Sequence, residues 1–317
     1  MKPLIINSFV KYLLISLVFL LISCSKSKEE EKPVENIPLP EDVVQIDVTG
    51  VRGGKLILPL EGNPKTFNPI LSNDTATNKT IYWTAYIALT EYDHEKRVLT
   101  YELAKSLDIS SDGLEYTYHL RKGLKWSDGQ PFSADDVVFT YNIVVDPNIL
   151  ADAKDSLKQS DESFPTIAKI DDHTVKFILK EKNVHFSSAL IDIKIIPKHK
   201  WEKVYQEGNF MNSMLLNTKA EDMPVMGPFK FHTFLSDQRV VMERNPYYFK
   251  VDKNKQRLPF LDKVIRIISP DFNSTLVKFQ NGEIDMHEVR VEQYDLLKKD
   301  EQKGDYIIHE LGPKYVT

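Results

Sequence analysis

The chain has 317 residues, of which 42% are hydrophobic, and carries a formal net charge of −5 at pH 7. An acidic balance with lysine and glutamate interspersed lacks the basic footprint of a nucleic-acid-binding protein. The hydrophobic fraction is high enough to bury a sizeable core, which we expect to be divided over more than one lobe.

The first 24 residues have the pattern of a secretory signal. An apolar, uncharged run, YLLISLVFLLI, follows Lys11 and is too short to cross a bilayer comfortably as a permanent helix. It ends at LISC, which resembles the cleavage site of bacterial lipoproteins, so Cys24 is the predicted lipidation site. The alternative is an uncleaved membrane anchor with an incidental cysteine. Cys24 is the single cysteine of the sequence, so no internal disulfide can form.

Residues 25–50 are predicted to be a flexible linker. The segment SKSKEEEKPVENIPLPED is charged and contains prolines, with too little apolar surface to offset the entropy lost on ordering. Its expected role is to hold the folded part of the chain away from a membrane.

The first folded segment is a short buried strand, GGKLILPL, predicted over residues 53–60. A loop follows, because prolines and Asn/Asp residues are concentrated in EGNPKTFNPILSND. The next apolar segment, residues 80–89, predicts a helix whose aromatic side chains face the core.

Residues 103–141 predict strand, turn, strand, turn and helix in succession. Apolar and polar residues alternate from Tyr116 to Arg121, which is the pattern of a half-buried strand. Ser133 and Asp136 then have the spacing of a capping box at the start of a helix. Pro147 follows that helix and is expected to end it.

The later segments continue the mixture of strands and helices. Residues 174–179 alternate as a strand, and residues 183–190 predict a short helix. Residues 226–231 and 239–244 predict a hairpin. Residues 263–269 predict a strand and residues 274–280 a helix, with Gly282 placed to cap its end.

No motif in the chain supports an enzymatic reaction. His287-Glu288 lacks the second histidine of a zinc-binding helix, because position 291 is valine. Nucleophile elbows, Walker loops and dinucleotide fingerprints are absent from the sequence. The histidines are scattered without the spacing of metal ligands, so we expect no catalytic residue, no metal and no cofactor.

Three ordered blocks carry a resemblance to a known family. The first is LAKSL followed by YTYHLRKGLKWSDGQPF and SADDVVFTYN; the second is GPFKFHTFLSDQRVVMERNPYYF; the third is LPFLDKVIRIISPDFNSTLVKFQNGEIDM. Together they resemble the family 5 extracellular solute-binding proteins, the oligopeptide-, dipeptide- and nickel-binding receptors of ABC importers. The resemblance implies a mixed α/β, periplasmic-binding-protein-like type II cleft fold.

The resemblance also implies a division of the chain. Residues 51–70 and 186–311 would form the first lobe, and residues 71–185 an inserted small subdomain. Residues 312–317 resemble the start of the hinge into a second large lobe. Because family members continue beyond that point, the sequence is expected to be the N-terminal part of a receptor, without the second lobe.

The resemblance further implies short peptides as ligands, held between lobes and delivered to the membrane subunits of an ABC importer. Asn73, Asp74, Thr75 and Ala76 would line the cleft, although a solvated surface turn is an alternative for them. Tyr315 would contribute from the hinge. The protein would be a monomer, anchored by lipid on the outer side of a bacterial membrane. Alternatives are a receptor for a nickel complex or an oligosaccharide, and a surface lipoprotein or scaffold without transport.

Overall fold

The computed structural model describes residues 37–82, 84–93 and 96–309. The predicted signal segment with Cys24, the first part of the predicted linker, and Tyr315 lie outside the described residues. Within the described ranges, every helix is too short or too polar to cross a membrane.

The described residues form a mixed α/β structure. The strands are β1 (Val44–Gln45), β2 (Lys55–Glu61), β3 (Thr90–Asp93), β4 (Val98–Tyr101), β5 (Ala104–Ile109), β6 (Glu115–Leu120), β7 (Thr166–Asp171), β8 (Thr174–Ile178), β9 (Phe229–Leu235), β10 (Arg239–Arg244), β11 (Lys250–Val251) and β12 (Lys263–Ser269). The α-helices are α1 (Thr75–Ile81), α2 (Ala134–Val145), α3 (Phe186–Ala189), α4 (Lys198–Gln206), α5 (Phe272–Gln280) and α6 (Val291–Asp300). Short 3-10 turns lie at Asp152–Leu157, Leu190–Asp192, Phe210–Asn212, Ala220–Asp222 and Glu301–Lys303.

Two four-stranded sheets organise these elements. One has the order β2-β12-β10-β9, in which β2 and β12 are parallel and the other pairs antiparallel. The other is antiparallel throughout, with the order β5-β6-β8-β7. Their strands come from different parts of the chain, because β5–β8 lie between residues 104 and 178. The division into a first lobe and an inserted subdomain stays a prediction.

Helix α2 covers one face of the antiparallel sheet and begins as predicted. Ser133 and Asp136 form a capping box, in which the Ser133 hydroxyl accepts from a first-turn backbone N–H and the Asp136 carboxylate accepts from the Ser133 N–H. The helix ends at Val145, and Asp146 is its C-cap, directly before Pro147. Its buried Tyr141 ring packs 5.1 Å from that of Phe177 on β8. The local pattern therefore determines both ends of this helix.

Several other predicted elements are confirmed. Strands β6, β8, β10 and β12 lie within one residue of their predicted bounds. The predicted hairpin forms from β9 and β10, but β9 spans Phe229–Leu235 instead of residues 226–231. Helix α5 begins two residues earlier than predicted, because the Asp271 carboxylate accepts from the Ser274 N–H and caps it there. Gly282 has a φ of +71°, as expected for the residue after a helix end. The helix predicted over residues 183–190 is reduced to α3 and the 3-10 turn that follows it.

The helix predicted over residues 80–89 is wrong. The helix here is α1, which starts earlier because Asp74 caps it, and it ends at Ile81. A turn at residues 84–85 follows, in which the Ile81 carbonyl accepts from the Ala85 and Tyr86 N–H groups. Further on, the Leu89 carbonyl accepts from the N–H groups of Glu102 and Ala104. Pairing with a distant segment replaces the local helical hydrogen bonds that the apolar pattern suggested.

The predicted linker is also wrong from residue 37 onward, because that part is packed on the fold. Val44 and Gln45 form β1, which pairs in parallel with β11. The Asp42 carboxylate accepts from the Lys105 ammonium at 2.6 Å. Arg257 donates to the backbone carbonyls of Ile37 and Pro38. Composition alone did not reveal this, since the anchoring partners are remote in sequence.

Candidate ligand-binding site

The loop that precedes α1 is fixed to the core by the Phe67-Asn68-Pro69 segment. Phe67 and Asn68 are fully buried. The Asn68 side chain donates to the Ser213 hydroxyl at 3.0 Å and accepts from the Ile70 N–H at 2.9 Å. The Phe67 N–H donates to the Met214 carbonyl at 2.8 Å. These contacts hold the start of α1 in a defined position.

The four residues predicted to line the cleft lie at the N-terminal end of α1. Asp74 is its N-cap: the carboxylate accepts from the N–H of Thr77 at 2.9 Å and from its hydroxyl at 2.6 Å. Thr75 and Ala76 belong to the first turn of the helix instead of a loop, and Ala76 is buried. Asn73 and Thr75 are exposed. Their contact with a ligand stays a prediction.

A cavity of about 260 Å³ lies along the later part of α1. Its wall combines the loop before α1, the end of α1, the end of α2 with the 3-10 turn that follows, and the segment before α4. The lining residues are Pro69, Ile70, Asn78, Tyr82, Val144, Ala151, Asp152, Ala153, Ser156, Asp192, Ile193 and Lys194. Elements from four separate parts of the chain therefore meet around one space.

Lys194 is the buried charge of this cavity. The residue is 2% exposed, and its ammonium lies 5.1 Å from the centroid of the Tyr82 ring. Within the part of the chain that the structure describes, its hydrogen-bond acceptor is the Ile191 carbonyl at 3.0 Å. Burial lowers the pKa of Lys194, against the opposing effect of nearby carboxylates. An ammonium has three N–H donors, and the Ile191 carbonyl accepts from one of them.

Tyr82 and two aspartates complete the polar part of the wall. Burial raises the pKa of the half-buried Tyr82 to about 12, and the negative charges of Asp192 and Asp152 add to that effect. Asp152 and Asp192 are exposed, and neither carboxylate has a hydrogen bond or ion pair within the described ranges. The cavity therefore offers donors from Lys194 and acceptors from both aspartates.

Sequence reasoning missed Tyr82, Asp152, Asp192 and Lys194. Tyr82 was expected to face the core, and its ring does pack partly inward. The available signal for Asp192 and Lys194 was that they form a charged pair within the apolar run IDIKIIP at residues 191–197. A lysine in such a run must find a partner when the segment is buried, but the run itself does not identify that partner.

His287 has a structural environment. Its ring lies between those of Phe272 and Phe279, at 4.9 and 5.9 Å. Its nitrogens make hydrogen bonds to the Thr275 hydroxyl and the Gln293 side-chain oxygen, both at 3.1 Å. Among residues 37–82, 84–93 and 96–309, no three His, Cys, Asp or Glu side chains converge as a metal site would require.

Comparison with known proteins places these features in a family. Residues 98–317 match the profile described as bacterial extracellular solute-binding proteins, family 5 Middle. The oligopeptide-binding protein AppA of Bacillus subtilis is 31% identical over 253 residues, which are 78% of this chain and 43% of AppA. The chain thus spans less than half the length of this relative.

Solved structures show the same fold. The chain superposes on AppA in complex with a nonapeptide with a TM-score of 0.69 at 30% identity, covering 79% of this chain and 47% of that one. It matches MelB of Agrobacterium fabrum in complex with stachyose with a TM-score of 0.69 at 27% identity, over 83% and 42% of the two chains. NikZ of Campylobacter jejuni in complex with Ni(L-His) matches with a TM-score of 0.62 at 26% identity, covering 78% of this chain and 45% of NikZ. The described residues therefore have the type II periplasmic-binding-protein fold over about half of each neighbour.

Proposed function

Because the chain belongs to the bacterial extracellular solute-binding proteins of family 5, we propose that it captures short peptides for an ABC importer. Proteins of this family bind solutes on the extracellular or periplasmic side of the membrane. The similarity to AppA, whose structure contains a nonapeptide, supports a peptide as the solute. Family membership and the absence of a catalytic motif from the sequence support binding without chemistry.

The observation that carries the peptide proposal is the pairing of charges in the cavity. Lys194 can donate to a carbonyl or carboxylate, while Asp152 and Asp192 can accept from an ammonium. A peptide carries groups of both kinds. A neutral oligosaccharide, such as the stachyose bound to MelB, would bring no negative charge to the buried ammonium. This difference favours a peptide over an oligosaccharide.

Capture would operate by shifting the receptor population from the open towards the closed conformation. A ligand that contacts two lobes only when they are closed stabilises the closed form by its extra contacts there. The membrane subunits of the importer would recognise that form. The lipid proposed for Cys24 would keep the receptor near its importer, and the protein would act as a monomer. The second candidate, a surface scaffold without transport, predicts no solute binding.

Calorimetric titration of the intact protein with alanine-rich peptides, stachyose and the nickel–histidine complex tests this proposal. We expect saturable peptide binding near micromolar Kd, equivalent to about −8 kcal/mol. Lys194→Met should weaken it about tenfold, since a charge-assisted hydrogen bond is lost. The control Lys180→Met, on an exposed ion pair with Asp161, should leave it unchanged. Tighter binding of stachyose or the nickel complex would overturn the peptide assignment, and no binding of any solute would favour the scaffold.

A further inference from the structure

The Tyr82 end of the cavity carries an excess of negative charge. Two carboxylates, Asp152 and Asp192, and one ammonium, Lys194, line it, which leaves a formal charge of −1. Both aspartates lie close enough to Tyr82 to raise the pKa of its phenol. The carboxylates come from the 3-10 turns Asp152–Leu157 and Leu190–Asp192, so the fold brings them together from separate segments.

The lysines nearest in sequence are engaged elsewhere. The Lys154 ammonium donates to the backbone carbonyls of Asp146 and Ile149. Lys158 pairs with Asp155 at 3.1 Å and with Glu162 at 3.2 Å. Thus, among residues that the structure describes, no cation is paired with either carboxylate of the cavity.

Lys194 cannot neutralise both carboxylates by direct contact. Its ammonium is held below the surface by the Ile191 carbonyl and the face of the Tyr82 ring. Asp192 favours the charged form of Lys194, and its effect comes after desolvation and Glu91. The exposed carboxylate oxygens therefore remain free to accept from a group that enters the cavity from outside.

We propose that Asp152, Asp192 and the Tyr82 hydroxyl form a subsite for a positively charged group of the bound solute, an ammonium or guanidinium. The inference rests on the proposed function and deepens it, since it names which peptides bind best. A cation placed between two carboxylates makes charge-assisted hydrogen bonds and brings the cavity closer to neutrality. The group can belong to a lysine or arginine side chain or to the peptide N-terminus, because both present the same chemistry.

Calorimetry of the intact protein with matched peptides tests the subsite. Ala-Lys-Ala is compared with Ala-norleucine-Ala, which has the same length without the side-chain charge, and both are compared with their N-acetylated forms. We expect removal of the recognised cation to weaken binding about tenfold, as for one charge-assisted contact. A loss on replacing lysine by norleucine identifies the side chain as the source of the cation, and a loss on acetylation identifies the peptide N-terminus.

The double variant Asp152→Asn/Asp192→Asn should bind all four peptides with the same affinity. The control Asp155→Asn, on the same 3-10 turn but paired with Lys158, should keep the tenfold preference. Equal affinities already in the unaltered protein, or a preference that persists in the double variant, would overturn the subsite while leaving peptide capture intact.

Failure of the protein to bind any peptide would contradict the proposed function but still allow the subsite to be tested. Thermal unfolding is then measured with n-pentylammonium and with n-pentanol at equal concentration. A Tm increase that only the ammonium produces, and that the double variant loses, supports the subsite. Equal effects of the two probes would overturn it.

Discussion

The ammonium of Lys194 lies 5.1 Å from the centroid of the Tyr82 ring, in a position that is 2% exposed. The two residues belong to segments far apart in the sequence, and their contact forms one wall of the cavity. A buried ammonium is retained here at a cost in stability, since desolvation of a charge is only partly offset by one carbonyl and an aromatic face.

Lys194→Met is therefore expected to stabilise the fold by about 1 kcal/mol at pH 7, because it replaces a buried charge by an apolar side chain of similar length. The folded-state pKa of Lys194 is lowered by burial. Burial of the charged ammonium therefore destabilises the fold fully at pH values below that pKa. The destabilisation disappears as the pH rises towards the pKa of lysine in the unfolded chain, about 10.4. Urea unfolding at pH 7 and 9.5 should show the advantage of the variant shrinking at the higher pH. A variant less stable than the parent at both values would contradict the prediction.

Asp136→Asn is expected to destabilise the fold by about 2 kcal/mol. The buried carboxylate accepts from the backbone N–H groups of Lys198 and Ser133, at 2.8 and 3.0 Å, and so joins the starts of α2 and α4. An amide keeps one acceptor oxygen and turns an NH₂ group towards a donor, which leaves a buried group unsatisfied. The half-buried Asp135, which pairs with Lys169, provides the matched control Asp135→Asn. In chemical denaturation, the free energies of unfolding of the two variants should differ by more than about 1 kcal/mol. Equal free energies would refute the role assigned to Asp136.

Gly227→Ala is expected to prevent folding or lower stability by several kcal/mol. A Cβ at this position would lie 2.5 Å from the Thr84 carbonyl oxygen and 2.6 Å from that of Ala85. Both are backbone atoms, and Ala85 already accepts from the Gly227 N–H, so neither can move away freely. Gly208→Ala is the comparison, since its φ of +73° is strained for alanine but its surroundings are open; we expect a loss of about 1 kcal/mol there. Similar Tm values for the two variants would show that close packing is not what requires Gly227.

Tyr205→Phe is expected to reduce the acid sensitivity of the fold. The Tyr205 hydroxyl donates to the Asp146 carboxylate at 2.5 Å, and this hydrogen bond is the main cause that lowers the pKa of Asp146. A lowered acid pKa contributes stability that is present above the unfolded value, near 3.9, and is lost as pH falls through the folded value. The variant should be less stable by about 1 kcal/mol at pH 7, and the gap should close in acid. Tyr101→Phe, on an exposed strand end, should show no such pH dependence in Tm measurements between pH 7 and 2.5.

The predicted and observed elements agree best where hydrogen bonds are local. The capping box of Ser133 and Asp136 and the alternation in β6 involve residues only a few positions apart, so their patterns were sufficient. Agreement fails where a distant partner decides the conformation. Leu89 pairs with Glu102 and Ala104, and Val44 pairs with Lys250 across most of the chain.

The same distinction between local and distant partners explains why the family could be predicted from the sequence and the cavity could not. The ordered blocks of sequence were enough to predict the family and a mixed α/β cleft fold, because both depend on patterns preserved along the chain. The cavity was decided only by tertiary structure: Tyr82, Asp152 and Lys194 become neighbours through packing of elements that have no local contact in the sequence. Burial then determines which charges are desolvated, and the sequence alone contains no measure of that burial.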